Sequence, residues 1–347
     1  MRKNGEDIVA DSTPIEVLGR RLNVSNLEKV LYSATGFTKR KVIDYYVRVA
    51  PYLVPHLAGR PLTMKRYPDG VDGEYFYEKN APKHRPDWVK TAPVYSWHNR
   101  RTLEYILVDD LPTLVWLANL ASLELHPSLS RAENLNCPTM MVFDLDPGPP
   151  ANVLQCAQVA LWLRELFEQF GLRSFPKTSG SKGLQIYVPL NTAVTYDETK
   201  SFAHAVARLL AERHPELVVS EMKKEVRGGK VFIDWSQNDE HKTTVSVYSL
   251  RARERPTVST PVSWEEVEEA SRKRKAEKLV FEAGQVLARC EKMGDLFAPL
   301  LTLEQKLPTL APVVAEGAAR VEIAAAAEPA KKSKKSKKSK KKAVRKN

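Results

Sequence analysis

The sequence predicts an α+β fold in one globular body of about residues 14–300, followed by a linker over 301–330 and a disordered basic tail over 331–347. Three observations predict it. Short β-branched or alternating segments are mixed irregularly with long amphipathic stretches, which argues for a mixed sheet-and-helix domain and against a solenoid. No internal repeat is visible. The tail holds ten Lys and one Arg with no acid, so most of the formal net charge of +12 sits on one appendage that repels itself and cannot bury a core. Its chain of 347 residues is long enough for one large or two ordinary domains at roughly 150 residues each.

The elements follow in chain order. Thr38 is an N-cap for a helix over 39–57, whose apolar residues recur at helical spacing. Strands are expected at 62–67, 105–110 and 139–146. A helix over 151–171 carries Val153, Ala157, Ala160, Leu163, Phe167 and Phe170 along one face and stops at Gly171. Strands at 183–190, 230–236 and 244–250 frame a third helix that ends near Pro215. Residues 308–330, rich in Ala, Pro and Glu, read as linker. Cys137, Cys156 and Cys290 are too few and too widely spaced for a disulfide framework or a Cys-x-x-Cys zinc site. No apolar leader or stretch of about 18 apolar residues appears, so a cytoplasmic protein with no membrane partner is expected.

The chemistry starts at "MMVFDLDPGPP". Strand side chains alternate faces, so Asp144 and Asp146 point the same way while Leu145 turns into the core. Two like charges on one face are best tolerated with a hard cation between them, and Mg²⁺ and Mn²⁺ prefer oxygen ligands. Asp234 ends another apolar run, Val231–Ile233, and would join them near the sheet edge. Three carboxylates at two strand ends can hold two metals about 3.5–4 Å apart, the arrangement of phosphoryl and nucleotidyl transfer. Acids at strand ends also serve as caps and turn formers, and the pair alone leaves that reading open.

Two further groups accompany the acids. Ser179, Gly180, Ser181, Lys182 and Gly183 form a flexible loop before a strand, suited to holding phosphate oxygens, although a hairpin turn with an exposed Lys has the same sequence. Lys65 and Arg66 end a strand, and Phe76 with Tyr77 lie in a Gly-flanked loop where exposed rings would stack on unpaired bases. Burial of at least one of that aromatic pair is the default expectation. His126 either faces the site or packs against Pro127.

The stretches "SNLEKVLYSATGFTK", "GRPLTMKRYPDGVDGEYFYEK", "MVFDLDPG", "TSGSKGL" and "KVFIDWSQND…KTT…YSLRAR" resemble the polymerase domain of bacterial ligase D, of the archaeo-eukaryotic primase-polymerases. The resemblance implies a primase-polymerase fold with an RRM-like catalytic core and an additional N-terminal α/β module. It implies a metal-dependent nucleotidyl transferase with Mn²⁺ or Mg²⁺ in a two-metal site, taking NTP or dNTP with ribonucleotides preferred, and filling short gaps or ends of DNA. By position, Asp144, Asp146 and Asp234 match the metal triad. Ser179, Lys182, Arg251 and His126 match the triphosphate site, and Lys65 and Gln237 line the nucleotide. Asn26, Lys29 and Lys39 match the pocket that reads a downstream 5′-phosphate, and Phe76 and Tyr77 the stacking pair. The family loop is usually followed by Leu-His; here Gln185 replaces that His, and Gln can donate a hydrogen bond but never carries a positive charge.

No Lys-x-Asp-Gly adenylation motif is present, so a separate DNA ligase acting in trans is expected, with the polymerase a monomer near the nucleoid. Two other readings stay open at this point. "VFDLDPG" also looks like the first motif of haloacid dehalogenase-type phosphatases, although Pro147 and Gly148 stand where that motif continues differently. A non-catalytic DNA-binding protein that uses the tail is the other.

Overall fold

Two short hairpins and a long helix open the computed structural model, which describes residues 12–97, 99–308, 310–315 and 318–323. β1 (Ser12–Val17) pairs with β2 (Arg20–Ser25), and β3 (Val30–Tyr32) with β4 (Phe37–Thr38), both antiparallel. Thr38 caps α1 (Lys39–Leu57) as the sequence implies: its hydroxyl accepts from the Lys41 N–H at 3.4 Å. Val42, Tyr45, Tyr46, Val49 and Leu53 line the buried face of that helix.

A first sheet follows from β5 (Leu62–Arg66), β6 (Phe76–Glu78), β7 (Thr91–Ser96) and β8 (Arg101–Ile106), with β9 (Ser122–Pro127) also pairing β5. Here the strand expected at 105–110 lies earlier. Residues 107–110 leave the sheet, and Asp110 caps α2 (Leu111–Asn119) by accepting from the Thr113 N–H at 2.9 Å. Pro112 through Ala118 of α2 are all buried, so its sequence shows an apolar run with no polar face, and the helical period is invisible.

After the small pair β10 (Ser130–Arg131) and β11 (Asn134–Pro138), the chain builds the second sheet. Its elements are β12 (Met140–Pro147), α3 (Val153–Gln169), β13 (Phe175–Thr178), β14 (Leu184–Pro189), α4 (Tyr196–Arg213), β15 (Val218–Val219) and β16 (Val231–Asp234). The strand order is β13-β14-β12-β16-β15. Apart from the two-residue β15, this is the β-α-β-β-α-β succession with the first strand between the third and the fourth, the RRM-like core expected. Capping boxes start both helices, Asn152 with Gln155 and Thr195 with Glu198. Phe143 of β12 packs 5.0 Å from the Phe167 ring of α3, and the Cys156 thiol donates to the Leu145 carbonyl at 3.4 Å. The odd-numbered side chains of β12 therefore face the helices, and Asp144 and Asp146 project from the other face.

The strand expected at 244–250 does not form. This alternating segment is buried along its whole length and turns at Val247–Tyr248, where Tyr248 adopts φ +63°, and its backbone groups go to several partners instead of one ladder. Ser246 N–H donates to the Leu125 carbonyl at 2.8 Å and Tyr248 N–H to the Ser259 carbonyl at 2.7 Å; a single bridge joins Leu250 to Val258. Such burial on both sides produces strand-like alternation without a neighbouring strand. α5 (Trp264–Lys273) and α6 (Ala283–Met293) complete the body, which ends at Leu307.

Residues 308–347 form a separate unit. Where the sequence suggests linker, β17 (Leu310–Ala315) pairs antiparallel with β18 (Ala318–Ile323). The basic tail expected at 331–347 lies outside the described residues. All three cysteines are free, Cys156 and Cys290 buried. Among the described residues no helix is long and apolar enough to cross a membrane.

Candidate active site

One cross-strand row organises the site. β13, β14, β12 and β16 set Lys177 opposite Gln185, Gln185 opposite Asp144 and Asp144 opposite Asp234. Asp146 follows two residues along β12 on the same face. Asp144 and Asp234 are thus neighbours in the middle of a sheet, not at its edge as the sequence suggests. Asp234 is tightly held: Oδ1 accepts from Ser236 N at 3.0 Å and Ser236 Oγ at 2.5 Å, and Oδ2 accepts from Gln237 Nε2 at 2.6 Å. Gln237 therefore orients a carboxylate.

Burial raises the Asp144 carboxyl from 3.8 to about 7, with Asp146 and Asp234 adding repulsion. Asp146 is raised too, by burial and then by Asp234, while Arg227, Arg251 and Lys182 oppose the shift. Among the described residues no three His, Cys, Asp or Glu side chains are gathered into a finished metal shell. The donor set nonetheless suits a hard divalent cation, because it consists of carboxylate oxygens whose mutual repulsion the nearby cations offset only in part.

The glycine loop joins β13 to β14 beside this row, with Lys182 near enough to Asp146 to oppose its raised pKa. Ser179 N–H donates to the Gly183 carbonyl at 2.9 Å, and Ser179 Oγ accepts from the N–H groups of Ser181 at 3.2 Å and Gly183 at 3.1 Å. Two glycines are required by space. Gly180 has φ +67°, and a Cβ there would lie 2.6 Å from the Val258 carbonyl carbon; a Cβ on Gly183 would overlap the Leu145 carbonyl oxygen. Lys182 is exposed at the tip, beside a cleft of about 300 Å³ lined by Pro147, Asn152, Gly180, Ser181 and Val280.

Arg251 ties this loop to the first sheet. Its Nη1 donates to the Ser179 carbonyl at 2.6 Å, and its Nε lies 3.3 Å from Glu124 Oε1. Glu124, which the sequence reading missed, is only 2% exposed. Burial works to raise its pKa, but His126 (Nε2 to Oε2, 3.0 Å), Arg251 and the Ala252 N–H hold it well below the carboxylate range. His126 faces this cluster, and burial lowers its pKa against the opposing pull of Glu124. The alternation in "LELHP" carried the signal, since Glu124 and His126 share a strand face.

Phe76 and Tyr77 are both exposed, at 43% and 58%, and they lie on edge strand β6, so neither burial nor a loop applies. They also do not form one platform, since adjacent strand residues face opposite ways. Tyr77 pairs with Lys65, whose ammonium lies 5.5 Å from that ring and 4.0 Å from the ring of exposed Tyr75, and burial lowers the Lys65 pKa. Phe76 pairs with Arg66, 5.1 Å from its ring and bonded to Glu78 at 2.8 Å. Tyr75 and Arg66 thus extend the expected set.

The third group gathers at the N-terminal end. Asn26 turns the chain at φ +55°, the Lys29 N–H donates to the Asn26 carbonyl at 3.0 Å, and the Lys39 N–H donates to the Lys29 carbonyl at 2.9 Å. Lys39 is 7% exposed; its Nζ donates to the Ser25 carbonyl at 2.8 Å and Asn119 Oδ1 at 3.2 Å. Burial, then Lys29 and Arg66, lower its pKa to about 8. Lys29 meets Asp69 at 2.7 Å.

The family described as "LigD, primase-polymerase domain" matches residues 38–297. The chain is 42% identical over 282 residues to the multifunctional non-homologous end joining protein LigD of Mycolicibacterium smegmatis, covering 81% of this chain and 36% of that protein. It is 34% identical over 291 residues to the bifunctional non-homologous end joining protein LigD of Bacillus subtilis, covering 84% and 45%. It therefore spans less than half the length of these relatives. A solved structure of the polymerase domain from Mycobacterium tuberculosis ligase D in complex with DNA matches with a TM-score of 0.77 and 40% identity, over 82% of this chain and 99% of that one.

Proposed function

The chain belongs to the LigD primase-polymerase family, a family of nucleotidyl-transferring DNA polymerases, and on that premise we propose that it fills short DNA gaps with ribonucleotides preferred, guided by the downstream 5′-phosphate, during repair of DNA ends. The observation that carries this reading is that Asp144, Asp146 and Asp234 share one sheet face, with Lys182 of the Ser179–Gly183 loop near Asp146. Asp144, Asp146 and Asp234 would hold Mn²⁺ or Mg²⁺, which when bound would activate a primer hydroxyl and stabilise the leaving pyrophosphate. Lys182, Lys65 and Arg251 supply positive charge for a triphosphate, and the Ser179 hydroxyl, which accepts from two loop N–H groups, has its own proton to donate. Tyr77 on the Lys65 side suits the nucleotide, and Phe76 on the Arg66 side suits a template base turning toward Lys39.

Asn26, Lys29 and Lys39 are proposed to read the 5′-phosphate, because a terminal phosphate carries more charge than a diester and attracts clustered ammonium groups. The nick that results would pass to a DNA ligase. The family match favours this reading of the Asp-x-Asp pair over the phosphatase alternative.

Single-nucleotide incorporation on a short-gap duplex tests the reading, with and without the 5′-phosphate, comparing NTP with dNTP and Mn²⁺ with Mg²⁺. Incorporation stimulated at least about tenfold by the phosphate is expected; long extension indifferent to it would overturn the proposal. A second outcome concerns pH. The Lys39 ammonium is lost as pH rises through about 8 in the free protein, so kcat/KM for phosphorylated gaps should fall between pH 7 and 9. Lys39→Met should lower kcat/KM and flatten that fall; an identical profile in the variant would remove Lys39 from the pocket.

A further inference from the structure

Lys177 is a buried amine, its pKa pulled well below the usual lysine range by burial, that the reading above does not use, and it stands beside the position where this chain departs from its family. It is 1% exposed on β13, directly opposite Gln185, whose other cross-strand neighbour is Asp144. Lys177 Nζ lies 2.5 Å from Gln185 Oε1 and 2.6 Å from Ser259 Oγ, and 5.4 Å from the Tyr187 ring. Ser259 Oγ donates its single proton to the Thr178 carbonyl at 3.0 Å, so it accepts from Nζ. The amine directs a further proton at Gln185, which presents its oxygen. A planar amide with its oxygen fixed on one side turns its NH₂ to the other, toward Asp144.

We propose that Lys177 is a positioning residue acting through Gln185: it locks the amide so that the Gln185 NH₂ is a fixed donor on the Asp144 side. This inference rests on the nucleotidyl-transfer reading. It accounts for the pair as a unit: the Lys177 amine donates to Gln185 Oε1 at 2.5 Å, and the amide keeps its NH₂ for the Asp144 side.

A double-mutant cycle on the full chain tests it. Lys177→Met and Gln185→Met are each expected to lower kcat for single-nucleotide incorporation about tenfold with KM for gapped DNA unchanged, and the double variant should be no worse than either. Losses that multiply, or a Lys177→Met enzyme with wild-type kcat, would overturn the inference. The Gln185 side-chain NH₂ resonance in ¹⁵N spectra gives a readout without turnover. It should move in Lys177→Met, and an unmoved resonance overturns the inference even if no incorporation occurs, a result that would by itself sink the polymerase reading. Should Lys177→Met not fold, the wild-type resonance decides: slow hydrogen exchange supports a locked amide, and exchange at the rate of free glutamine overturns it.

Discussion

Asp144→Asn is expected to abolish incorporation and to raise the melting temperature together. The rate should fall at least about 10²–10³-fold, the scale for losing one preorganised electrostatic group. Stability should move the other way, because burial and two neighbouring carboxylates hold the Asp144 pKa up to about 7. A carboxyl with a raised folded pKa costs stability above its unfolded value, about 3.9, and in full only above about pH 7. Removing the ionisable group should therefore stabilise by a few kcal/mol at pH 8, on the scale of ~1.4 kcal/mol per pKa unit, and not at all below pH 4. At roughly 2–4 °C per kcal/mol, thermal melting resolves the difference. Added Mn²⁺ should raise the melting temperature of wild type more than that of the variant. A gain equal at pH 5 and pH 8 would show that repulsion among the aspartates is not its source.

Arg251→Met is expected to damage both rate and stability. Its guanidinium holds the Ser179 carbonyl and shares buried Glu124 with His126. Loss of the cation leaves Glu124 short of a partner, at a cost of about 3–5 kcal/mol for a broken buried pair. Freeing the loop from its anchor should lower kcat/KM by about 10²-fold or more. Glu124→Gln in the same chain should restore much of the melting temperature and little of the rate; recovery of both would reduce Arg251 to a structural counter-ion. Arg251→Lys keeps the charge and loses the fork, so it should recover stability better than activity.

How much of this could be read from the residues depends on what each signal encodes. The long helices at 39–57 and 151–171 announced themselves because one face meets a core and the other meets water. α2 did not, being buried nearly all round, and 244–250 misled because its alternation belongs to a wholly buried segment that turns at Tyr248 and bonds to several partners. The hairpin over 310–323, in a stretch poor in large apolar residues, gave no strand signal either. Asp144 and Asp146 were legible as a like-facing pair from strand geometry alone. Glu124 was legible only as sharing a strand face with His126; its role was not, since it depends on Arg251, more than a hundred residues away, being brought beside it.

By itself the sequence determined the α+β class, the acidic strand ends, the glycine loop that permits close backbone approach, and the family resemblance, all of which are local patterns of residue type and spacing. Only the tertiary structure decided the rest. Strand order put Asp234 beside Asp144 and Lys177 beside Gln185, and pleating turned Phe76 and Tyr77 to opposite faces. Burial changed what the charges do, raising Asp144 to about 7 and lowering Lys39 to about 8. The physical reason is common to all of these. Which strands pair and how much water remains depend on contacts between residues far apart in the chain, and a local pattern of residue types does not encode them.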